Sequence, residues 1–383
     1  MKGEFFPELE SMRGVAALSI VAFHAGQFPY NAAGKAIYVV LEAGDPNPFW
    51  NAVSHSLLYL VGGNHSNLHP AVVFFFVLSG FVLAGMLERD GSPWRFAISR
   101  LFRLYPAVWI CVLGFWLVGV LFGLKLNTNL QYTADLVVAN LALWRVQMHG
   151  VMWTLQNEIL AIPVIYIGYL IAKRLGTVAL IVLTVFLMLL SPWDPWKPLL
   201  GILGWAPYMG WMWMFLAGMC FYYAGARIAA GLRPGDAGAL FIGALVAFFF
   251  CTVWIHVKSP VRQMVEVAAA GTMISLMAFG AKGVVNKVLT APVLRFYGRI
   301  SYSLYLWHAI TLTVLWHQPR FFGAAIAGGV PPSAMALFSA LVAIGVTTPL
   351  AWLSFRFVER PGIKLGRMLL SRSTPAPAAG AAE

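Results

Sequence analysis

The chain of 383 residues is too apolar to cover a water-soluble globule with polar surface. Sixty per cent of the residues are hydrophobic and 10% are charged, whereas an average soluble chain carries roughly 25% charged residues. The formal net charge of +12 could suit nucleic acid, but the basic residues form no cluster typical of such a surface. We therefore expect a protein whose partner is the lipid bilayer and not nucleic acid.

Ten apolar segments predict membrane-spanning helices, which need roughly 20 residues each. In chain order they are residues 12–30, 69–88, 104–124, 152–172, 177–191, 207–225, 237–256, 263–281, 297–316 and 333–356. The sequence therefore predicts an all-α, polytopic transmembrane bundle of about ten helices, in which residues 1–365 form the transmembrane domain.

The distribution of basic residues predicts the orientation of this bundle. With the N-terminus inside, nineteen of the 26 lysines and arginines lie on the cytoplasmic side and seven lie outside. This bias follows the positive-inside rule and rejects the inverse orientation. We expect a multi-pass protein of the cytoplasmic (inner) membrane with both termini cytoplasmic, and residues 366–383, rich in proline and alanine, to be a disordered cytoplasmic tail.

The first span contains two polar side chains that are expensive to place in hydrocarbon, Arg13 and His24. Eleven residues at about 100° each end about 20° past three full turns, so both face the same direction about 16 Å apart along the axis. Arg13 could be a positive-inside anchor, paired with Glu10, and His24 could be a hydrogen-bonded core histidine. A histidine at this depth otherwise indicates chemistry.

Two connections are expected outside the membrane. Residues 31–68 are the longer, and a histidine trio, His55, His65 and His69, lies in and beside them. Spacings of ten and four residues fit no single helical ligand pair, so we expect a partly folded extracytoplasmic cap and no metal site. The second connection, residues 125–151, has Trp144 and Trp153 as expected interface anchors.

Small residues interrupt the second span, which reads AVVFFFVLSGFVLAG. Gly80 is expected to let two helices approach closely. Ser79 lies near mid-depth, where its hydroxyl could donate a hydrogen bond into a cavity.

The start of the third span reads R-L-F-R-L-Y-P, in which Arg100 and Arg103 are neighbours on one helix face. They could anchor the helix at the cytoplasmic surface. The alternative is phosphate binding, because the planar arginine fork matches phosphate oxygens.

Two further spans carry polar groups within apolar sequence. Glu158 lies about two turns from the outer surface in the fourth span, where it is a functional candidate or the partner of a buried base. Tyr302, Tyr305 and His308 form a polar stripe in the ninth span, which indicates a lined cavity. Glu359, in the final F-V-E-R-P, is expected to be part of a charged stop at the cytoplasmic surface.

Six segments in this order resemble acyltransferase family 3, the integral membrane O-acyltransferases of bacteria. They are E-S-M-R-G…F-H-A, F-F-V-L-S-G-F, R-L-F-R-L-Y-P, W-T-L-Q-N-E, G-R-I-S-Y-S-L-Y-L-W-H and F-V-E-R-P. The resemblance implies a bundle of about ten helices that moves an acyl group, usually acetyl, from cytoplasmic acyl-CoA to a sugar hydroxyl of an envelope glycan or related acceptor.

The resemblance also assigns site residues by position. Arg13 and His24 match the family's first-span arginine and histidine, and Arg100 and Arg103 match its paired arginines. Glu158 matches its acid. The family usually has one more basic residue immediately before the pair, where this chain has Ser99.

Residues and resemblance together suggest a mechanism without a permanently bound cofactor. Acyl-CoA (acetyl-CoA) would be the donor substrate, its phosphates held by Arg100 and Arg103 with Arg13, and its arm passing Ser79 and Tyr305. His24 would act as general base on an acceptor hydroxyl of a polysaccharide or lipid-linked glycan. Direct transfer and a transient acyl-histidine both fit the sequence. His308 is the competing base, and Glu158 would meet the acceptor.

A proton-coupled transporter or flippase is the alternative from another class, because intramembrane arginine, histidine and glutamate also form proton relays. Such transporters often have broken helices at corresponding positions of two halves. We find no such pair, and a phosphate-binding motif has no obvious place in a proton relay. The sequence leaves the oligomeric state open.

Overall fold

A computed structural model of the chain describes residues 6–27, 47–53, 69–123, 133–195, 197–198, 209–254, 260–280, 283–316, 324–325 and 327–372. These residues are helical or form turns, and no β-strand occurs among them. The prediction of an all-α fold is confirmed.

The described part of each of the ten apolar segments lies mainly on a helix of its own. The long helices are α1 (Pro7–Ala25), α2 (Pro70–Arg89), α3 (Pro93–Phe122), α5 (Trp153–Leu175), α6 (Thr177–Leu190), α7 (Met212–Ala230), α8 (Pro234–Trp254), α9 (Pro260–Phe279), α11 (Pro292–Trp316) and α12 (Pro332–Ser354). Shorter helices are α4 (Ala134–Leu141), α10 (Val284–Leu289) and α13 (Arg360–Arg372).

Four of the described helices are long and apolar enough to cross a membrane by length and composition. They are Pro70–Arg89, Pro93–Phe122, Gly150–Leu175 and Pro332–Ser371, with Thr177–Leu190 and Gly235–Phe249 as shorter apolar helices. Helix α1 is outside this set, and Glu8, Glu10 and Arg13 lie in its first half. The count of ten spans and the cytoplasmic termini stay predictions.

Glycines bring the central helices into backbone contact. A Cβ on Gly80 of α2 would overlap the carbonyl of Phe215 in α7, and one on Gly218 would overlap the carbonyl of Val77. Gly14 and Gly298 make the equivalent contact between α1 and α11. The predicted packing role of Gly80 is confirmed, and the α1–α11 contact fixes the two helices that carry His24 and His308.

The segment between α4 and α5 enters the bundle, although the sequence predicted an outer connection there. Leu143, Met148, His149 and Met152 are buried, and a short 3₁₀ turn, Gly150–Met152, leads into α5. We call residues 143–152 the inserted segment. Trp153 packs against Phe76 and Trp211, with ring centroids 6.3 and 5.0 Å away. Irregular backbone at this depth is tolerated where protein surrounds it or where it lines a cavity.

The C-terminal helices form one rod with a π-helical turn. Helix α12 passes through Phe355–Glu359, where the helix is π, into α13. Helix α13 packs on α3 through Gly362 and Gly366, which contact Pro106 and Phe102. The helix continues to Arg372, so residues 366–372 of the expected tail are helical, and residues 373–383 lie outside the described part of the chain.

Candidate active site

A cavity of about 330 Å³ opens at one end of the bundle, where α1 begins and α2 ends. We call it the basic cavity, because Arg13, Arg89, Arg103 and Arg299 line it. Its other walls include an aromatic cluster, in which the Tyr222 ring centroid lies 5.4 Å from Phe81 and 6.5 Å from Phe279. Guanidinium groups and aromatic rings suit a ligand that combines anionic groups with a planar ring.

The structure separates Arg103 from Arg100. The Arg103 side chain lines the basic cavity and has no hydrogen-bond or ion-pair partner among the described residues. Arg100 is 9% exposed and points away from this cavity, and its Nη2 donates to Glu158 Oε2 at 2.9 Å. Arg103 is therefore open to a ligand, whereas Arg100 and Glu158 neutralise each other inside the bundle.

Arg13 connects the basic cavity to a deeper pocket. It lines both the basic cavity and a pocket of about 50 Å³, which we call the deep pocket. The deep pocket is also lined by Thr154, Glu158, Tyr302 and Tyr305. A narrow ligand arm that follows Arg13 would therefore pass from the basic cavity into a small pocket within the bundle, lined by both polar and apolar side chains.

A pair of histidines, His24 and His308, is linked to the deep pocket through Tyr305, which lines the pocket and lies beside His308. The ring centroids of His24 and His308 are 5.2 Å apart, nearly perpendicular, and the Tyr305 ring is 5.6 Å from His308. His308 Nδ1 lies 2.6 Å from the carbonyl oxygen of Tyr305. Because a carbonyl oxygen only accepts, Nδ1 carries the hydrogen, and Nε2 of a neutral His308 is an acceptor. This Nε2 is buried without a partner among the described residues.

His149 of the inserted segment is a buried residue that the sequence reasoning missed. Its Nε2 donates to the carbonyl oxygen of Leu306 at 2.8 Å, and Cys111 Sγ lies 3.5 Å away. It thereby fixes the inserted segment to α11 between Tyr305 and His308. The W-T-L-Q-N-E motif marked this region of the sequence as unusual. It did not indicate that the residues before it pack into the bundle.

The W-T-L-Q-N-E motif holds this arrangement together. Gln156 donates to the carbonyl oxygens of Leu143 and Trp144 at 2.9 and 3.1 Å. Leu143 has a φ of 55°, in the left-handed region that bulky residues rarely adopt, so these bonds stabilise an unfavourable turn. Thr154 Oγ1 and the Tyr305 hydroxyl are 2.8 Å apart, and Tyr305 donates to the carbonyl of Val151.

Glu359 lies in the basic cavity, although the sequence placed it in a charged stop at the surface. Its side chain is 3% exposed, and its Oε2 accepts a hydrogen bond from Ser303 at 2.9 Å. The π turn explains the difference, because it changes which side chains of an otherwise regular helix face inward. The neighbouring Arg360 does face outward, as expected of a stop.

The remaining residues singled out in the sequence differ in position or partner from what was predicted, or lie outside the described residues. Ser79 is half-buried and is not among the residues lining the basic cavity or the deep pocket. Glu10 lines the basic cavity, and its ion pair, at 3.8 Å, is with Arg295. His55 and His65 lie outside the described residues, and within the described residues no group of three or more histidine, cysteine or acidic side chains is arranged to hold a metal.

Comparison with known proteins identifies the class. Residues 6–356 match the family described as "Acyltransferase domain". The chain belongs to acyltransferase family 3 and is a multi-pass membrane protein.

A similar protein is the exopolysaccharide production protein ExoZ of Rhizobium meliloti strain 1021. It is 28% identical to this chain over 324 residues, which cover 80% of this chain and 93% of ExoZ. No solved structure matches the chain.

Proposed function

We propose that this protein transfers an acyl group, acetyl in the simplest case, from a CoA thioester to a hydroxyl of an envelope polysaccharide or a lipid-linked glycan. The observation that carries this proposal is the basic cavity, where Arg13 and Arg103 have no hydrogen-bond or ion-pair partner among the described residues, joined at Arg13 to the deep pocket, which Tyr305 links to His308 and His24. Membership of an acyltransferase family and similarity to ExoZ, named for exopolysaccharide production, support the acceptor class.

The donor occupies the basic cavity from the cytoplasm in this proposal. Arg103 and Arg13 bind its phosphates by charge-assisted bonds, with Arg89 and Arg299 exposed at the rim. The adenine ring packs on the aromatic wall at Tyr222 and Phe279. Arg100 makes no direct bond to the donor, because it is paired with Glu158. The pantetheine arm passes Arg13 and brings the thioester to the deep pocket beside Tyr305.

The histidine pair performs the proton transfer in this mechanism. His308 Nε2, which has no partner among the described residues, would accept a hydrogen bond from one ring nitrogen of His24 when the substrates are bound, which leaves the other nitrogen of His24 to act as a base on the acceptor hydroxyl. The hydroxyl oxygen attacks the thioester carbonyl, its proton passes to His24, the carbon–sulfur bond breaks, and the proton returns to the thiolate. The second oxygen of Glu158, which lines the deep pocket, orients the acceptor.

The experiment that tests this function measures donor binding and product together. Purified full-length protein in lipid nanodiscs should bind CoA in a calorimetric titration. Mass spectrometry of envelope glycans from cells with and without the gene should show acyl groups only with it. Unchanged glycans together with proton-dependent solute movement in proteoliposomes would instead favour the transporter.

The orientation needs its own test. In a cysteine-free variant, a cysteine at Gly91, between α2 and α3, should react with an impermeant maleimide only after the membrane is opened. A cysteine at Gly44 should react in intact spheroplasts. The reverse pattern would place the basic cavity outside, away from cytoplasmic acyl-CoA.

A further inference from the structure

A buried carboxylate in a cavity that binds anions requires an explanation, and Glu359 is that carboxylate. It is 3% exposed and lines the basic cavity with Arg13 and Arg103. Burying a carboxylate without a bound counter-ion is costly. Among the described residues its one direct bond is from the neutral hydroxyl of Ser303, at 2.9 Å. The electric field of the cavity offsets part of this cost, although burial remains the larger effect on the carboxyl group.

The two arginines supply that field. Glu359 interacts electrostatically with Arg103 and Arg13, although no ion pair within 4.0 Å joins it to either arginine among the described residues. The three charged groups therefore border one space without filling it. The field that stabilises the carboxylate is the field that would stabilise a donor phosphate in that space.

Local backbone geometry aims Glu359 at this space. It is the last residue of the π turn, Phe355–Glu359. Its neighbours Arg356 and Arg360 are exposed, and their guanidinium groups lie over the rings of Trp352 and Phe355, 5.8 Å from each centroid. The π turn therefore directs the Glu359 side chain inward while Arg356 and Arg360 face outward. Such π turns are frequent at functional sites.

We propose that Glu359 is an internal competitor of the donor phosphates. With the cavity empty, its charge offsets those of Arg13 and Arg103; with donor or free CoA present, it repels the phosphates and weakens their binding. Glu359 is thus a positioning residue that limits affinity, so that CoA can leave after transfer. The proposal rests on the proposed function, since it assumes that the basic cavity binds CoA.

The test compares CoA affinity in nanodiscs for the wild type, Glu359→Gln and Glu359→Asp. Glutamine keeps the size and the bond from Ser303 but removes the charge, so CoA should bind roughly tenfold more tightly. Aspartate keeps the charge but moves it away from the cavity by one methylene, so it should give a smaller gain in CoA affinity. Because the charge is retained, this variant also tests the proposal if the glutamine variant does not fold. In acyl transfer, Glu359→Gln should lower the KM for acetyl-CoA without raising kcat.

Glu88→Gln is the matched control. Glu88 is exposed, accepts a bond from Tyr223 at 2.8 Å and does not line the cavity, so CoA affinity should change less than about twofold because solvent and salt screen its charge. Unchanged or weaker CoA binding in Glu359→Gln and Glu359→Asp would overturn the inference while leaving the donor site intact. A wild type that binds no CoA would instead refute the proposed donor.

Discussion

Helix α3 presents one arginine to the basic cavity and another to the interior of the bundle, and their surroundings differ. In the cavity, Arg103 is half-buried, has no partner among the described residues and faces open space. One turn earlier on the same helix, Arg100 is buried and bonded to Glu158. A charge left without a protein partner is suited to a ligand, whereas a charge already paired is part of the framework. Residue type and spacing alone would have given both arginines the same role.

The largest effect that separates the two regions is expected from His24→Ala. A positioned base typically supplies 10²- to 10⁴-fold in rate, so acyl transfer should fall by at least that range while CoA still binds the basic cavity. The measurements are glycan acylation and calorimetric CoA titration on the same preparation.

His308→Ala is the companion variant. Near-normal transfer in His24→Ala with none in His308→Ala would make His308 the base. Loss of CoA binding in His24→Ala would mean that donor binding in the basic cavity depends on His24, so that binding and proton transfer are not separate functions of the two regions.

The next effect concerns stability. Arg100→Met leaves the half-buried Glu158 carboxylate without its partner, which should cost about 3 kcal/mol of folding free energy, the low end for a buried pair, and lower the thermal unfolding temperature. The double variant Arg100→Met, Glu158→Met should recover most of that loss. If Arg100→Met is as stable as the wild type but binds CoA poorly, Arg100 contacts the donor and the contrast with Arg103 fails.

A smaller effect is expected at Arg103. Arg103→Ala removes charge-assisted bonds worth about 1.5–3 kcal/mol and should weaken CoA binding by about 10- to 100-fold, with little change in thermal stability. Arg103→Lys keeps the charge but loses the fork, and should fall between the two. Equal CoA affinity in the wild type, Arg103→Ala and Arg103→Lys would indicate that Arg103 only anchors the helix at the membrane surface.

The smallest effect is expected at Ser99, where the family usually has a basic residue. Ser99 is not among the residues that line the basic cavity, and its hydroxyl donates to the carbonyl of Phe96 at 2.9 Å. Ser99→Arg should therefore leave CoA affinity within about twofold of the wild type. A clear gain in affinity would mean that this position reaches the donor after all.

The sequence predicted the helical fold well because hydrophobic runs determine it directly. Each apolar segment became a helix, and the match of Arg13 with His24 on one face survives in α1. It could not predict the inserted segment, because residues 143–152 carry no periodic pattern and are held by tertiary bonds such as Gln156 to Leu143.

The charged residues were harder to assign for a different reason. The pairing of Arg100 with Glu158 joins positions 58 residues apart, and single-chain spacing does not report such contacts. Glu359 was placed at the surface because regular helical geometry ends the last span there, and a π turn has no clear sequence signature. Local pattern predicted which side chains are unusual, and long-range packing determined which of them share a cavity.

Arg13 also bears on how such a protein limits the leakage of ions across the membrane. A route for a soluble donor on one side and a glycan on the other is also a potential leak for ions. Arg13 lines both the basic cavity and the deep pocket, and a fixed guanidinium on such a route would repel protons and metal cations electrostatically. Under the proposed function, the residue that binds the anionic donor would therefore also help to preserve the transmembrane potential.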